Sequence, residues 1–434
     1  MYRGKIFDGT AGIAATTALA MGCIINCNNN DCRLKQRRSF RKGFSRSMWT
    51  PSYCEEDVQI PRHPTFSGQS ALSVPKANSW KTEKMEEMML ISGSVHPALN
   101  EEISSILGVP LANTKISRFA DGEVSIVVEE NVRGRHTFIL QSCSKPVNDN
   151  IMELLLTVAA LRRSSASRIT AVIPYFGYKH HRRGIPISPL HSSRFLSSNA
   201  MDFAKMLTVL GVDRVVAVDL QRPGQGGEAC FFDNSVPLET IVTTNLLVKY
   251  FTENVPLNKE HLVVISPNSE LVASARKFQK EFSKAFSGAD VKMATFYALS
   301  SGAGPTDIDK LSLLTDGRNK VALGGADVII VDDLVDSAGT ICKLAQRLKE
   351  AGALNVYVCA SHGIFSDDGM KKIDQSLIDK VVVTNSLPLP ADPSERVVQL
   401  SIAPMLADVI LAEHFRQQSY DDDDVSEDVR AEDF

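Results

Sequence analysis

From Glu86 onward, apolar runs of about five to seven residues alternate with stretches of helical period. Met88–Ser92, Ser125–Val128, Thr137–Gln141, Ile169–Pro174 and Arg214–Leu220 read as strands, and their nearly unbroken hydrophobicity suits strands buried on both faces. Between them the spacing predicts a helix over Pro97–Leu107 and a second through Met152, Leu155, Val158 and Leu161, capped by Asn148 or Asp149. A third runs from about Ser193 to Leu210. The pattern then restarts. A helix over Leu238–Phe251 leads to the strand Leu262–Ser266, the helix Glu270–Phe286 and the strands Lys292–Tyr297 and Asp327–Asp332. The helix Gly339–Glu350, the strands Asn355–Ala360, Lys380–Thr384 and Arg396–Ser401, and a last helix from Met405 to about Gln417 complete it. Strands alternating with helices predict an α/β fold, and the restart predicts two domains, 86–236 and 237–418, joined near Val236. The Gly-, Ser- and Asp-rich stretch Ala298–Asp309 is placed where a mobile functional loop belongs.

Length and composition change this picture little. A chain of 434 residues, 44% hydrophobic and 23% charged, is neither collagen-like nor wholly disordered. A net charge of -4 argues against a dedicated nucleic-acid binder, and no apolar run is long enough for a membrane span. The charge is nevertheless lopsided at the ends. Residues 1–54 carry nine Lys or Arg against Asp8 and Asp31, with the apolar run Ala11–Ile25 followed by the acid-poor segment Arg33–Ser47. That order predicts an organellar targeting extension, for mitochondrion or plastid; an unstructured extension of a cytoplasmic protein is the alternative. Residues 55–85 read as linker, and the aspartate-rich 419–434 as a disordered acidic tail. The four cysteines beyond the extension (Cys143, Cys230, Cys342, Cys359) are scattered, which fits ordinary thiols in a reducing compartment.

The strongest chemical signal is Val328-Ile329-Ile330-Val331-Asp332-Asp333-Leu334-Val335-Asp336-Ser337-Ala338-Gly339-Thr340. A buried strand ends in two carboxylates, and a turn of small and hydroxylated residues opens a helix. Helix N-termini offer unpaired N–H groups and positive potential, so the turn suits a phosphate monoester, with Asp332 and Asp333 set where sugar hydroxyls would project.

This turn resembles the ribose-5-phosphate loop of the type I phosphoribosyltransferases. Arg118-Phe119-Ala120-Asp121-Gly122-Glu123, Pro146-Val147-Asn148-Asp149-Asn150, Arg168 to Tyr178 and Ser361-His362-Gly363-Ile364-Phe365 narrow the resemblance to the ribose-phosphate diphosphokinases, over roughly residues 86–415. The resemblance implies two related phosphoribosyltransferase-like domains, each a mostly parallel sheet flanked by helices. It implies Mg2+-dependent transfer of a diphosphoryl group from ATP to ribose 5-phosphate, in a homo-oligomer or a hetero-oligomer with family members. Asp332, Asp333, Asp336, Ser337, Ala338, Gly339 and Thr340 would hold ribose 5-phosphate. Phe119, Asp121 and Glu123 would form an adenine-binding loop reaching a neighbouring subunit.

The chain departs from the family pattern at three places. Gln221 stands where a metal-linked histidine is expected, and Asn268 where an aspartate is, leaving Asp219 or Glu228 to stand in as a metal ligand. The loop after Tyr297 has no base before Lys310. The run Tyr178-Lys179-His180-His181-Arg182-Arg183 is a replacement cradle for the triphosphate, with His180 on ATP and Arg182 and Arg183 as the catalytic cations; a solvated charge run is the alternative. A structural hydrogen bond is expected of His362 rather than proton transfer. Three functions follow: an active diphosphokinase, a non-catalytic regulatory subunit of the same family, or a phosphoribosyltransferase that uses the finished diphosphate sugar.

Overall fold

A computed structural model describes residues 85, 87–178, 199–220, 232, 235–286, 290–298, 311–315 and 323–428. The expectations for the N-terminal extension, for His180, Arg182, Arg183, Gln221 and Glu228, and for most of the loop after Tyr297 therefore lie outside the described residues.

The first half contains β1 (Met88–Ser92), α1 (Pro97–Leu107), β2 (Thr114–Arg118), β3 (Val124–Val128), β4 (His136–Leu140), α2 (Val147–Arg163), β5 (Arg168–Ile173), α3 (Asn199–Leu210), β6 (Arg214–Val218) and β7 (Leu238–Ile241). Five of its strands form a parallel sheet in the order β1-β4-β5-β6-β7, while β2 and β3 pair apart as an antiparallel hairpin. Side chains alternate across the sheet. Met89, Ile139, Ala171 and Val215 pack with Leu154 and Val158 of α2 and with Phe203 and Leu207 of α3. Leu90, Phe138, Val172 and Val216 face the other way, toward Leu99 and Ile103 of α1. This continuous burial is why the strands read as unbroken apolar runs.

The second half contains α4 (Thr244–Asn254), β8 (Leu262–Ser266), α5 (Val272–Ala285), β9 (Lys292–Ala298), β10 (Leu311–Thr315), β11 (Asp327–Val335), α6 (Gly339–Glu350), β12 (Asn355–Gly363), α7 (Gly369–Asp374), β13 (Lys380–Thr384), β14 (Val397–Leu400) and α8 (Ala403–Asp428). Its seven-stranded sheet runs β10-β9-β8-β11-β12-β13-β14, parallel except where β10 returns against β9. Ile341, Leu344 and Leu348 of α6 cover one face. Phe251 of α4 and Phe278 and Phe282 of α5 cover the other.

The structure differs from the sequence reading at several places. Leu238–Ile241 is a strand paired with β6, not the start of a helix, because the open edge of the first sheet satisfies its backbone groups; the crossing to the second half therefore comes after Ile241. Ile402, just before α8, and Leu406 and Ile410 of α8 pack on the first sheet beside α1, so the chain returns to the first core after β14. And α8 runs through Asp428 rather than ending near Gln417 in a disordered tail: once its first turns are anchored, each added residue gains a hydrogen bond without a new nucleation cost.

The docking of α8 is sensitive to protonation. His414 Nδ1 lies 3.4 Å from His136 Nδ1, His136 Nε2 lies 2.9 Å from Thr170 Oγ1, and buried Glu413 pairs with Arg214 at 2.7 Å. Burial, with His414, Arg168 and Arg214 nearby, lowers the pKa of His136 from 6.5 to about 3. The unfolded chain thus takes up this proton first, and the stability tied to neutral His136 is full above pH 6.5 and lost as pH falls toward 3. Denaturant midpoints are expected to be flat near neutrality and to fall below pH 6.5. His136→Gln should flatten that fall by up to about 1.4 kcal/mol per pH unit.

Candidate active site

Strand order identifies where a ligand belongs. In the first sheet the order never reverses. In the second it reverses between β8 and β11, since successive strands leave this pair in opposite directions. Open α/β sheets bind ligands outside the carboxyl ends of the strands at such a reversal. There, a cavity of about 100 Å³ is lined by Asp332 and Asp333 from β11, Leu271, Ser274 and Lys277 from the α5 side, and Asp219, Thr243 and Ser361.

The turn after β11 is built for close backbone approach. Asp332 and Asp333 are half-buried, and Asp332 Oδ1 accepts from the Asp333 N–H at 2.8 Å. Ala338 is buried in the left-handed region, with φ of 58°, and caps α6 without any side-chain hydrogen bond. The first N–H groups of α6 therefore lack a side-chain acceptor, the arrangement that receives an anion. Two contacts brace the turn from behind: Ser366 Oγ donates to Asp336 Oδ1, and Lys372 Nζ donates to the Ser337 carbonyl at 3.2 Å. Gly369 passes so close that a Cβ there would sit 2.9 Å from the Asp336 carbonyl oxygen. Beyond Asp336 lies a larger cavity of about 570 Å³, with Tyr178, Phe365 and Pro388 among its walls, so the turn separates two hollows.

The carboxyl ends of the two sheets are joined here by buried polar contacts. Asp219, just after β6 and with φ of 42°, accepts at Oδ2 from the Thr243 N–H at 3.2 Å, from Thr243 Oγ1 at 2.5 Å and from Ser361 Oγ. His362, fully buried, lies with Nε2 3.1 Å from the Val218 carbonyl and Nδ1 2.8 Å from Ser386 Oγ. The carbonyl can only accept, so Nε2 carries the proton. Ser142 Oγ donates to the Ser386 carbonyl at 2.5 Å and accepts from the Tyr175 N–H at 3.0 Å. The structural task expected of His362 is the one it performs.

The other candidate residues fall in different places. Asp219 shares the cavity of Asp332 and Asp333, but its carboxylate is engaged by Thr243 and Ser361. Asn268 is not in the cavity wall; its Oδ1 accepts from the N–H groups of Glu270 and Leu271 at 2.9 and 3.1 Å, capping the turn before α5. Among the described residues no three His, Cys, Asp or Glu side chains gather as a metal cage. Phe119, Asp121 and Glu123 sit at the tip of the β2–β3 hairpin, where Asp121 Oδ1 accepts from the Glu123 N–H at 3.1 Å and Phe119 is 55% exposed. Sequence reasoning missed Thr243, Ser274 and Lys277. Only their helical or strand-end position could have marked them.

Two mostly parallel sheets meeting at their carboxyl ends, with a small-residue turn opening a helix at the strand reversal, make a two-domain fold of the phosphoribosyltransferase-like kind. Comparison with known proteins makes the assignment specific. Residues 88–211 match the N-terminal domain of ribose phosphate pyrophosphokinase, and residues 319–421 match the phosphoribosyl synthetase-associated domain. A ribose-phosphate pyrophosphokinase of Helicobacter pylori is 37% identical over 336 residues, covering 77% of this chain and 95% of that protein. One from Vibrio cholerae is 38% identical, covering 75% and 96%. The crystal structure of phosphoribosylpyrophosphate synthetase from Mycobacterium smegmatis superposes with a TM-score of 0.64 at 32% identity, over 75% of this chain and 98% of that one. The chain belongs to the ribose-phosphate pyrophosphokinase family.

The Asp219 contacts separate a structural role from a metal-binding one. Asp219→Ala leaves the Thr243 and Ser361 donors without their acceptor and should cost about 1–3 kcal/mol of stability in urea titrations. A metal ligand would instead show a raised Mg2+ requirement at unchanged stability.

Proposed function

We propose that the turn from Asp332 to Thr340 binds ribose 5-phosphate and that the chain transfers a diphosphoryl group to it from ATP. The observation that carries this reading is the uncapped N-terminus of α6 directly after two half-buried carboxylates at the strand reversal. The N–H groups at Gly339 and Thr340 receive the phosphate, and the small side chains of Ser337, Ala338 and Gly339 let it approach. Asp332 and Asp333 accept hydrogen bonds from ribose hydroxyls and so orient the anomeric oxygen. That oxygen bonds to the β-phosphorus of ATP as the bond from that phosphorus to the oxygen bridging it to the α-phosphate breaks. AMP leaves, and the proton of the anomeric hydroxyl passes to solvent. Holding both anions in line is most of the catalysis, because no covalent enzyme intermediate is needed.

The donor set fits Mg2+ that arrives with its nucleotide. Mg2+ is commonly held by one or two carboxylates together with substrate phosphates and water, and Asp332 and Asp333 supply hard anionic oxygens without forming a protein cage. Bound there, the ion neutralises charge on the transferring group. The exposed Phe119 at the hairpin tip supports a second element of the reading, an adenine platform offered to a neighbouring copy of the chain. The extent of the family relationship, covering nearly the whole length of the enzymes compared, favours the enzyme over the regulatory subunit.

The test is AMP release by the purified chain supplied with ATP, Mg2+ and ribose 5-phosphate. Turnover should require all three and fall by about 100-fold or more in Asp333→Ala, as expected when a positioning carboxylate is lost. Arg182→Ala/Arg183→Ala should weaken ATP use; unchanged ATP affinity would sink the replacement cradle. Binding of ribose 5-phosphate without turnover would return the regulatory reading.

A further inference from the structure

Among the described residues, the switch-point cavity has an electrostatic imbalance. Three of its lining groups are carboxylates, Asp219, Asp332 and Asp333, yet the ligand it must admit is a polyphosphate. Asp219 is already engaged by Thr243 and Ser361, and Asp332 Oδ1 by the Asp333 N–H. The loop after Tyr297, where the resemblance leads one to expect cationic side chains, has none before Lys310.

Among the described residues, one cation lines this cavity. Lys277 lies on α5, one turn beyond Ser274, so both side chains share a helix face. The neighbouring Phe278 is buried among Phe251, Phe282 and Val264, which fixes the rotation of the helix and aims that face at the cavity. Lys277 itself is exposed at the mouth and makes no ion pair or hydrogen bond with any described residue. An ammonium beside three carboxylates that pairs with none of them retains all three of its donors for a ligand.

We infer that Lys277 binds the diphosphoryl group during its transfer, supplying from α5 the positive charge that the loop after Tyr297 lacks. This inference rests on the diphosphokinase reading above. Charge grows on the leaving and transferring oxygens as the bridging bond breaks, so an ammonium aimed at them acts more strongly in the transition state than on bound ATP. Ribose 5-phosphate, held at the other end by the α6 N-terminus, should not feel its loss.

The experiment compares the full chain with Lys277→Ala, Lys277→Gln and Lys277→Arg, and with Lys280→Ala on the same helix but outside the cavity wall. AMP release is measured with ATP varied at saturating ribose 5-phosphate and then the reverse, with binding of ribose 5-phosphate followed by calorimetry. We expect kcat/KM for ATP to drop by about 10- to 100-fold in the Ala and Gln variants, as for loss of a charge-assisted contact. Lys277→Arg should recover most of it, Lys280→Ala should match the wild type, and ribose 5-phosphate affinity should not move. Ala and Gln variants within twofold of the wild type would overturn the role of Lys277 alone. So would a comparable loss of ribose 5-phosphate affinity in the calorimetry, which signals a structural defect. A wild-type chain that releases no AMP would overturn the diphosphokinase reading and this inference together.

Discussion

The carboxylate of Asp219 is the contact on which the site depends. It gathers donors from Thr243, at the entry to the second half, and from Ser361, at the end of a central strand of the second sheet. These residues are 24 and 142 positions away along the chain, so one side chain closes two long loops at a single point. Hydrogen bonds to a charged acceptor are stronger than neutral ones, and in a partly buried seam each donor would be costly to leave unmet. Together with His362 bridging Val218 and Ser386, they hold the carboxyl ends of the two sheets face to face. The non-glycine left-handed backbone at Asp219 is tolerated because so many partners specify it.

That seam explains the division of labour between the halves. Among the described residues it is the second sheet that reverses its strand order, and there a crevice beside strand ends has a helix N-terminus at its edge. The first sheet runs in one direction and contributes a wall at the end of β6, while the separate β2–β3 hairpin projects an exposed aromatic. The return of α8 onto the first core ties the second half back to the first, so the halves form one structure rather than two beads on a linker. Chemistry that moves a diphosphoryl group from a nucleotide to a sugar phosphate suits such a seam, since each half can present one anion to the other.

Legibility in the sequence followed the range of the interactions involved. β11 and α6 were readable because a fully buried strand, a pair of acids and a small-residue turn are contiguous. β7 was misread because Leu238-Glu239-Thr240-Ile241 carries no local strand signal strong enough to compete with the helix that follows; its conformation comes from the neighbouring strand. β2, β10 and α7 went unrecognised for the same reason, being short elements with weak periodicity. The roles of Thr243, Ser361 and Lys277 were illegible because a threonine, a serine and a lysine are common residues whose significance lies in what the fold brings beside them. Asn268 shows the converse: its neutrality, a departure when read as a metal position, is well suited to the cap it forms.

The central claim is that the turn between β11 and α6 is the sugar-phosphate site, held ready by the seam. A crystal structure of the chain with ribose 5-phosphate tests it most directly. The account predicts the phosphate on the backbone N–H groups at Gly339 and Thr340, with ribose hydroxyls on Asp332 and Asp333 and the Asp219–Thr243–Ser361 contacts intact. Ribose 5-phosphate bound elsewhere, with this turn empty, would contradict it.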